Sequence, residues 1–230
     1  MSEETPLYIG HRQRLKERFV RSEGVDMADY EAIELLLTYA IPRRDVKPLA
    51  KSLIKEFGSF AGVISAPMER LSEVAGIKEN SAILIKFVEF AAKKLSWQNL
   101  AFEDAPYITS TDNLIEFCRC AMGYSEVEVL RLIYVDSKLK VIGTEILQKG
   151  SVNSVNISPR EIVAKALKKN ASGIIMVHNH PSGDPRPSNN DIEATKSVKL
   201  ACDAVGIVLH EHIIITPSDF YSFAQRHLIV

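Results

Sequence analysis

The spacing of apolar residues divides the chain into a front that reads as helices and a back that reads as strands alternating with helices. Leu15, Phe19 and Val20 fall on one side of a helical segment over 10–21 that Gly24 ends. Two further helical patterns, about 28–40 and 46–57, are separated by Pro42, Arg43, Arg44 and Asp45 and closed by Gly58. A third begins at Pro67, breaks at Gly76, Ile77 and Lys78, and resumes as a fourth to about Leu95. Periodicity lapses from Gln98 to Ser110, with Pro106 inside the lapse. This places a linker at 101–110 between a helical domain of 1–100 and a second domain of 111–230.

The second domain opens with a helical pattern over 111–122. The stretch 127–136 is apolar on both faces, as a strand covered on both sides must be. Further strands are predicted at 141–147 and 152–157. Ser158, Pro159 and Glu161 are an N-cap, a proline at the first helical position and an acid at the third, so a helix runs to about Lys169. The β-branched run 173–177, a helix over 189–204 stopped by Gly206, and a strand over 207–215 complete the pattern. The predicted fold class is α/β: a mixed sheet flanked by helices, preceded by a small all-helical domain.

Chemistry concentrates where the run 173–177 ends. His178 and His180 are separated by one residue, and alternate side chains of an extended chain share a face, so both imidazoles can point at one place. Pro181, Gly183, Pro185 and Pro187 then forbid regular structure and turn the chain back. Ser188 reads as an N-cap with Asp191 in the first helical turn. Two histidines, an aspartate and a water form the open four-coordinate arrangement of a catalytic zinc site, so His178, His180 and Asp191 are the expected ligands of one Zn2+ ion. The spacing of Ser188 and Asp191 also fits a capping box, which needs no metal.

The order His178, His180, Pro181, six residues, Ser188, two residues, Asp191 resembles the JAMM (MPN-plus) metalloprotease motif at each spacing. The wording from His178 to Pro185, together with Ser158 to Ile162, resembles the RadC family in particular. The resemblance implies a JAMM/MPN-like fold for 111–230 and a zinc metallopeptidase-like hydrolase that cuts an amide or isopeptide bond in a protein or peptide. It implies Ser188 as a donor to the developing oxyanion.

Such a hydrolase also needs a carboxylate to carry a proton from water to the leaving amine. Glu126, Glu128, Glu145, Glu161 and Glu211 are the candidates, and Glu161 already has a capping role. Glu126 and Glu128 share strand parity with Leu130, Leu132 and Tyr134, and the residues alone do not choose between them. In JAMM enzymes the glutamate opens the strand after the first helix, and in RadC proteins it lies eight residues before the strand-ending aspartate; that resemblance implies Glu128. RadC-like chains usually carry Asp where this one has Glu211. His210 and His212 also alternate by two, but they lack a turn-rich loop and a helix-borne acid, so they read as sheet or supporting residues. His11 and His227 stand alone and are expected at the surface.

Residues 67–95 resemble a helix-hairpin-helix, whose hairpin N–H groups and following helix N-terminus hold a nucleic-acid phosphate. The hairpin's usual second glycine is Lys78 here. DNA binding by the helical domain is therefore the second functional reading, that of a repair or recombination accessory whose metal domain is regulatory or structural. Arg12, Arg14, Lys16, Arg18 and Arg21 suit phosphate contact or pairing with Glu17 and Glu23 equally well.

Charge narrows the DNA reading. The chain has 28 Lys and Arg against 29 Asp and Glu, a net charge of −1, so any nucleic-acid contact is a local site rather than a general field. No apolar run approaches the roughly 18 residues of a membrane span, and Met1 to Pro6 are acidic without an apolar core. No membrane partner is expected, and the expected address is the cytoplasm. Cys118, Cys120 and Cys202 give an odd count without an export signal, which predicts reduced, buried thiols. The absence of a Cys-x-x-Cys pair sets aside a zinc deaminase.

Overall fold

A computed structural model describes residues 10–101, 111–149 and 158–229. The predicted strand at 152–157 and the linker positions 102–110 lie outside the described residues. The chain divides into two compact units, with the boundary between Ala91 and Ala92.

The first unit is helical: α1 (His11–Ser22), α2 (Asp29–Ala40), α3 (Lys47–Phe57), α4 (Phe60–Ser65), α5 (Met68–Glu73) and the front of α6 (Glu79–Ala101). Ile33, Leu37, Leu53, Val63, Leu71 and Ile85 are fully buried at its centre. The short α4 is not visible as a periodic pattern; it starts because Ser59 accepts the Gly62 N–H at 3.1 Å. Between α5 and α6, Gly76 takes φ +101°, a left-handed conformation that favours glycine. Helix α6 runs on through Gln98 to Ala101, where the lapse in periodicity predicts a linker. Once a helix is nucleated, each further residue adds a hydrogen bond without needing an apolar stripe.

Polar contacts hold α1 in place. Of the three apolar residues on its predicted side only Leu15 is buried, while Phe19 and Val20 are exposed. The Arg12 guanidinium donates to the carbonyls of Thr38, Ile41 and Arg44 just where α2 ends and carbonyls lack helical partners. Arg18 pairs with Glu31. His11 corrects the sequence expectation of a lone surface residue: its Nε2 lies 2.8 Å from Oε1 of the buried Glu34. His227 is exposed, as expected.

The second unit begins with the end of α6. It continues with α7 (Thr111–Cys118), a π-helical turn (Arg119–Gly123), β1 (Val129–Val135), β2 (Val141–Lys149) and α8 (Pro159–Lys168). Then follow β3 (Gly173–Asn179), α9 (Asn189–Asp203), β4 (Val208–Ile215) and a short, unanticipated β5 (Phe220–Ser222). The sheet order is β2-β1-β3-β4-β5, antiparallel except for the β3–β4 pair, which α9 connects in parallel. This is the mixed sheet that the pattern predicts. Leu130, Leu132, Tyr134, Ile174 and Met176 face Ile162 and Ala166 of α8 and Val198 and Cys202 of α9. Val129, Ile133, Ile175, Val177 and Ile213 face α7 and the π turn. Strand β3 is buried along its whole length, which explains its unbroken apolar run.

Burial holds the Cys118 thiol up at about 12 and the Cys202 thiol at about 11, so both stay protonated; none of the three cysteines is in a disulfide, and Cys120 is partly exposed. No described helix is long and apolar enough to cross a membrane.

A bulge in β4 sets which histidine looks where. Ile174 pairs with Leu209 but Ile175 pairs with Glu211, so His210 is the extra residue and the alternation of faces restarts after it. The His210 ring lies over Gly173, where an added Cβ would come within 2.3 Å of His210 Nε2 and 3.1 Å of Val135 Cγ2. Gly173→Ala is therefore expected to cost about 1–3 kcal/mol by overpacking. Adding His210→Ala should recover most of that loss in urea melts. A double variant no more stable than Gly173→Ala would show that the ring is not the obstacle.

Candidate metal centre

Strand β3 carries His178 at its end, and His180 follows in the loop. Both fall on the α9 face of the sheet, set by alternation from Ile174 and Met176. Their Nε2 atoms are 3.0 Å apart. Asp191, in the first turn of α9, places Oδ1 3.3 Å from His178 Nε2 and Oδ2 3.7 Å from His180 Nε2. Among the described residues, these three are the side chains whose donor atoms converge within 4.8 Å as a metal-binding set would. Zinc–ligand bonds of about 2.0–2.1 Å at tetrahedral angles imply ligand separations of roughly 3.3 Å, close to the 3.0 Å between the two Nε2 atoms and the 3.3 Å from His178 Nε2 to Asp191 Oδ1.

The surroundings aim the donors. His180 Nδ1 donates to the Asp184 carbonyl at 2.7 Å, and a carbonyl only accepts, so a neutral His180 turns the lone pair of Nε2 inward. The Gly183 N–H donates back to the His180 carbonyl at 3.1 Å, closing the turn that returns Asp184. Gly183 takes φ +83° to make it. The buried His178 contacts His212 from its other face, Nδ1 to Nε2 at 2.8 Å. Burial pushes His178 down to about 4, against the pull of Asp191 and with a further push from His180. Burial, then the neighbouring His178 and His180, holds His212 well below the ordinary histidine range.

Ser188 and Asp191 form the capping box that their spacing predicts, and the box is part of the cluster rather than an alternative to it. The Ser188 N–H donates to Asp191 Oδ2 at 2.7 Å, its hydroxyl donates to the same oxygen at 2.6 Å, and the Asp191 N–H donates to Ser188 Oγ at 3.2 Å. One carboxylate oxygen is thus held by the helix start while Oδ1 is turned toward His178. Ser188 is exposed, with its hydroxyl engaged on Asp191.

Glu128 directly precedes β1 and is half-buried, while Glu126 is exposed. Leu130 pairs with His178 in antiparallel register, so two further steps bring Glu128 level with His180. Its parity with Leu130, Leu132 and Tyr134 places it on the face that carries both histidines. The other candidates lie elsewhere. Glu145 accepts from Tyr134 Oη and from Lys165 Nζ, and those contacts lower its pKa. Glu161 gives its N–H to Ser158 at the start of α8. Glu211 is buried and accepts from Ser222 Oγ and from the backbone N–H groups of His212 and Ala224, so it fastens the segment around β5.

Two residues of the setting, Thr195 and Asn179, are silent in the sequence reading. Thr195 Oγ1 is 2.6 Å from His212 Nδ1; it is one helical turn after Asp191, a spacing that puts both on one face of α9. His212 reads as a supporting residue without a partner being named. Asn179 lies between the two histidines and points to the opposite face. There Oδ1 accepts the Val129 N–H at 2.8 Å, and Nδ2 donates to the carbonyls of Ser125 and Val127 at 3.2 and 3.1 Å.

The family model described as "RadC-like JAB domain" matches residues 108–228. A UPF0758 protein of Ruegeria pomeroyi is 43% identical over 219 residues, covering 95% of this chain and 97% of the relative. A UPF0758 protein of Rhodobacter capsulatus is 41% identical over 215 residues, covering 94% and 100%.

The buried neutral histidines make stability depend on pH. The unfolded chain protonates them near the ordinary value of about 6.5, whereas folded His178 waits until about 4 and folded His212 is held well below its ordinary value. Their contribution is therefore complete above about pH 6.5 and is lost as pH falls toward 4. For metal-free protein, the urea midpoint is expected to be lower at pH 5 than at pH 7.5, and equal midpoints would contradict the assignment.

Proposed function

The chain belongs to the RadC-like JAB domain family, and from that premise we propose that it is a zinc-dependent hydrolase of an amide or isopeptide bond in a protein or peptide. The observation that carries the reading is the convergence of His178 Nε2, His180 Nε2 and an Asp191 oxygen. A zinc ion held by these three would supply Lewis acidity and lower the pKa of a coordinated water to about 7.

The chain's own residues divide the remaining work. Glu128 takes the proton of the attacking water and returns it to the leaving amine; its half-buried position at the head of β1 supports that role. Ser188 exchanges its bond to Asp191 Oδ2 for one to the oxygen that becomes negative as the carbonyl carbon turns tetrahedral. Asp191 keeps the Ser188 N–H during that exchange and so remains oriented.

Purified protein is expected to contain about one zinc per chain by mass spectrometry of the metal, and His178→Ala to contain almost none. On a library of peptides and lysine-linked isopeptides, Glu128→Gln should keep its zinc while turnover falls by about 10²–10⁴. Loss of zinc from Glu128→Gln would remove Glu128 from its assigned role.

A second reading concerns the helical unit, where nucleic-acid binding is supported by the Gly76 turn between α5 and α6. Lys78 is exposed at the start of α6, and the Arg44 guanidinium comes close to Gly76. If these groups meet phosphates, filter-binding affinity for DNA falls steeply with salt, and Lys78→Glu with Arg44→Glu flattens that slope. Affinity that ignores salt would end this reading.

A further inference from the structure

We propose that Thr195 and His212 are positioning residues that fix the tautomer of His178, so that His178 presents a lone pair rather than an N–H to the metal position. This deepens the zinc reading above and rests on it for its consequence, although not for its geometry.

The argument starts from one hydrogen atom. Thr195 Oγ1 is within hydrogen-bond distance of two groups, the main-chain carbonyl of Asp191 one turn earlier and Nδ1 of His212 at 2.6 Å. A hydroxyl has a single proton to give, and a carbonyl can only accept. The Thr195 hydroxyl therefore donates to Asp191 O, a bond that a threonine in a helix commonly makes to the residue four before it. Its oxygen is then the acceptor toward His212, so His212 Nδ1 carries the proton.

The remaining steps follow from imidazole chemistry. His212 is fully buried and stacked on Phe223 with ring centroids 4.5 Å apart. A neutral ring with a proton on Nδ1 has a bare Nε2, and that Nε2 faces His178 Nδ1 at 2.8 Å. His178 Nδ1 therefore donates, and neutral His178 is left with its lone pair on Nε2, the atom 3.0 Å from His180 Nε2 and 3.3 Å from Asp191 Oδ1. The chain of donors runs from β3 through β4 to α9 and ends on the backbone of Asp191, so two of the three proposed ligands are wired to each other from behind.

The wiring explains why the position facing His178 is a histidine on a bulged strand. Any residue there must accept on one side and donate on the other while filling the space above Phe223. Replacing Thr195 by valine keeps the shape but removes the acceptor, so His212 is free to carry its proton on Nε2 and to force His178 into the wrong tautomer.

The test uses the full chain with Thr195→Val, Thr195→Ser, His212→Phe and His212→Gln. Ring-nitrogen NMR of the metal-free protein reads the tautomer directly: His178 is expected as the Nδ1–H form in the parent and in Thr195→Ser, and not as that single form in Thr195→Val. Zinc affinity by chelator competition is expected to fall about 10–100-fold in Thr195→Val and His212→Phe, the usual size for groups behind a ligand. Thr195→Ser should retain parental affinity, and His212→Gln, whose amide oxygen can still accept from His178, should lie between. If His212→Phe melts early, the Thr195 pair carries the comparison, since valine matches the shape of threonine.

An Nε2–H tautomer of His178 in the parent, or zinc affinity in Thr195→Val equal to that in Thr195→Ser, overturns the proposal. Absence of zinc binding by the parent would instead overturn the hydrolase reading, while the NMR result would still decide the wiring.

Discussion

A neutral imidazole has one N–H and one lone pair, so a histidine can offer electrons to a cation only when its other nitrogen has somewhere to place a proton. The architecture of the second unit answers that requirement twice, in different ways. For His180 the acceptor is the Asp184 carbonyl, returned by a tight turn that Gly183 makes feasible. For His178, inside the sheet, the partner comes from the adjacent strand as His212. Parallel pairing of β3 with β4, and the bulge that resets β4, put His212 rather than His210 on the correct face.

The same economy appears at the start of α9. A helix leaves its first N–H groups without partners and attracts negative charge, so an acidic residue in the first turn is stabilising whether or not it has chemistry to perform. Asp191 meets both demands because a carboxylate has two oxygens. Oδ2 is committed to Ser188 and so fixes the plane of the group, and that plane turns Oδ1 toward His178. Any change that loosens the helix start therefore also misaims the carboxylate, and the stability of α9 and the shape of the cluster are a single property.

Much of this was legible in the sequence, and the parts that were not share a cause. Strands β1, β3 and β4 and helices α8 and α9 announce themselves because each buries a continuous face, and their caps are local. The cluster of His178, His180 and Asp191 is legible for the same reason, since strand alternation and a capping box are short-range rules. What stayed hidden depends on register between distant segments. The pairing of Leu130 with His178, which brings Glu128 level with His180, spans much of the domain and has no local signature. The bulge at His210 is invisible for the same reason, and it is what turns two similar histidines into one that covers Gly173 and one that supports His178. His11 departs from the sequence expectation on equal grounds: its partner Glu34 lies on another helix, and a buried carboxylate within an apolar stripe gives no sign of what it will meet.

Asn179 shows how far register can compress function. It occupies the position between the two histidines and, pointing away from them, takes no part in the cluster. The segment before β1 has polar backbone that must be satisfied before the ladder begins, and Asn179 supplies an acceptor for the Val129 N–H and donors for the carbonyls of Ser125 and Val127. That clamp holds the stretch from which Glu128 projects. Three consecutive residues thus do two things on two faces of one extended stretch: His178 and His180 converge with Asp191, and Asn179 fixes the backbone of the glutamate proposed to move the proton. Because the side-chain period of a strand is two, a shift of one residue in β3 would exchange these tasks and abolish all of them together. Burial of β3 on both faces is therefore a condition of the cluster as well as of the fold, since it is burial that makes such a slip prohibitive.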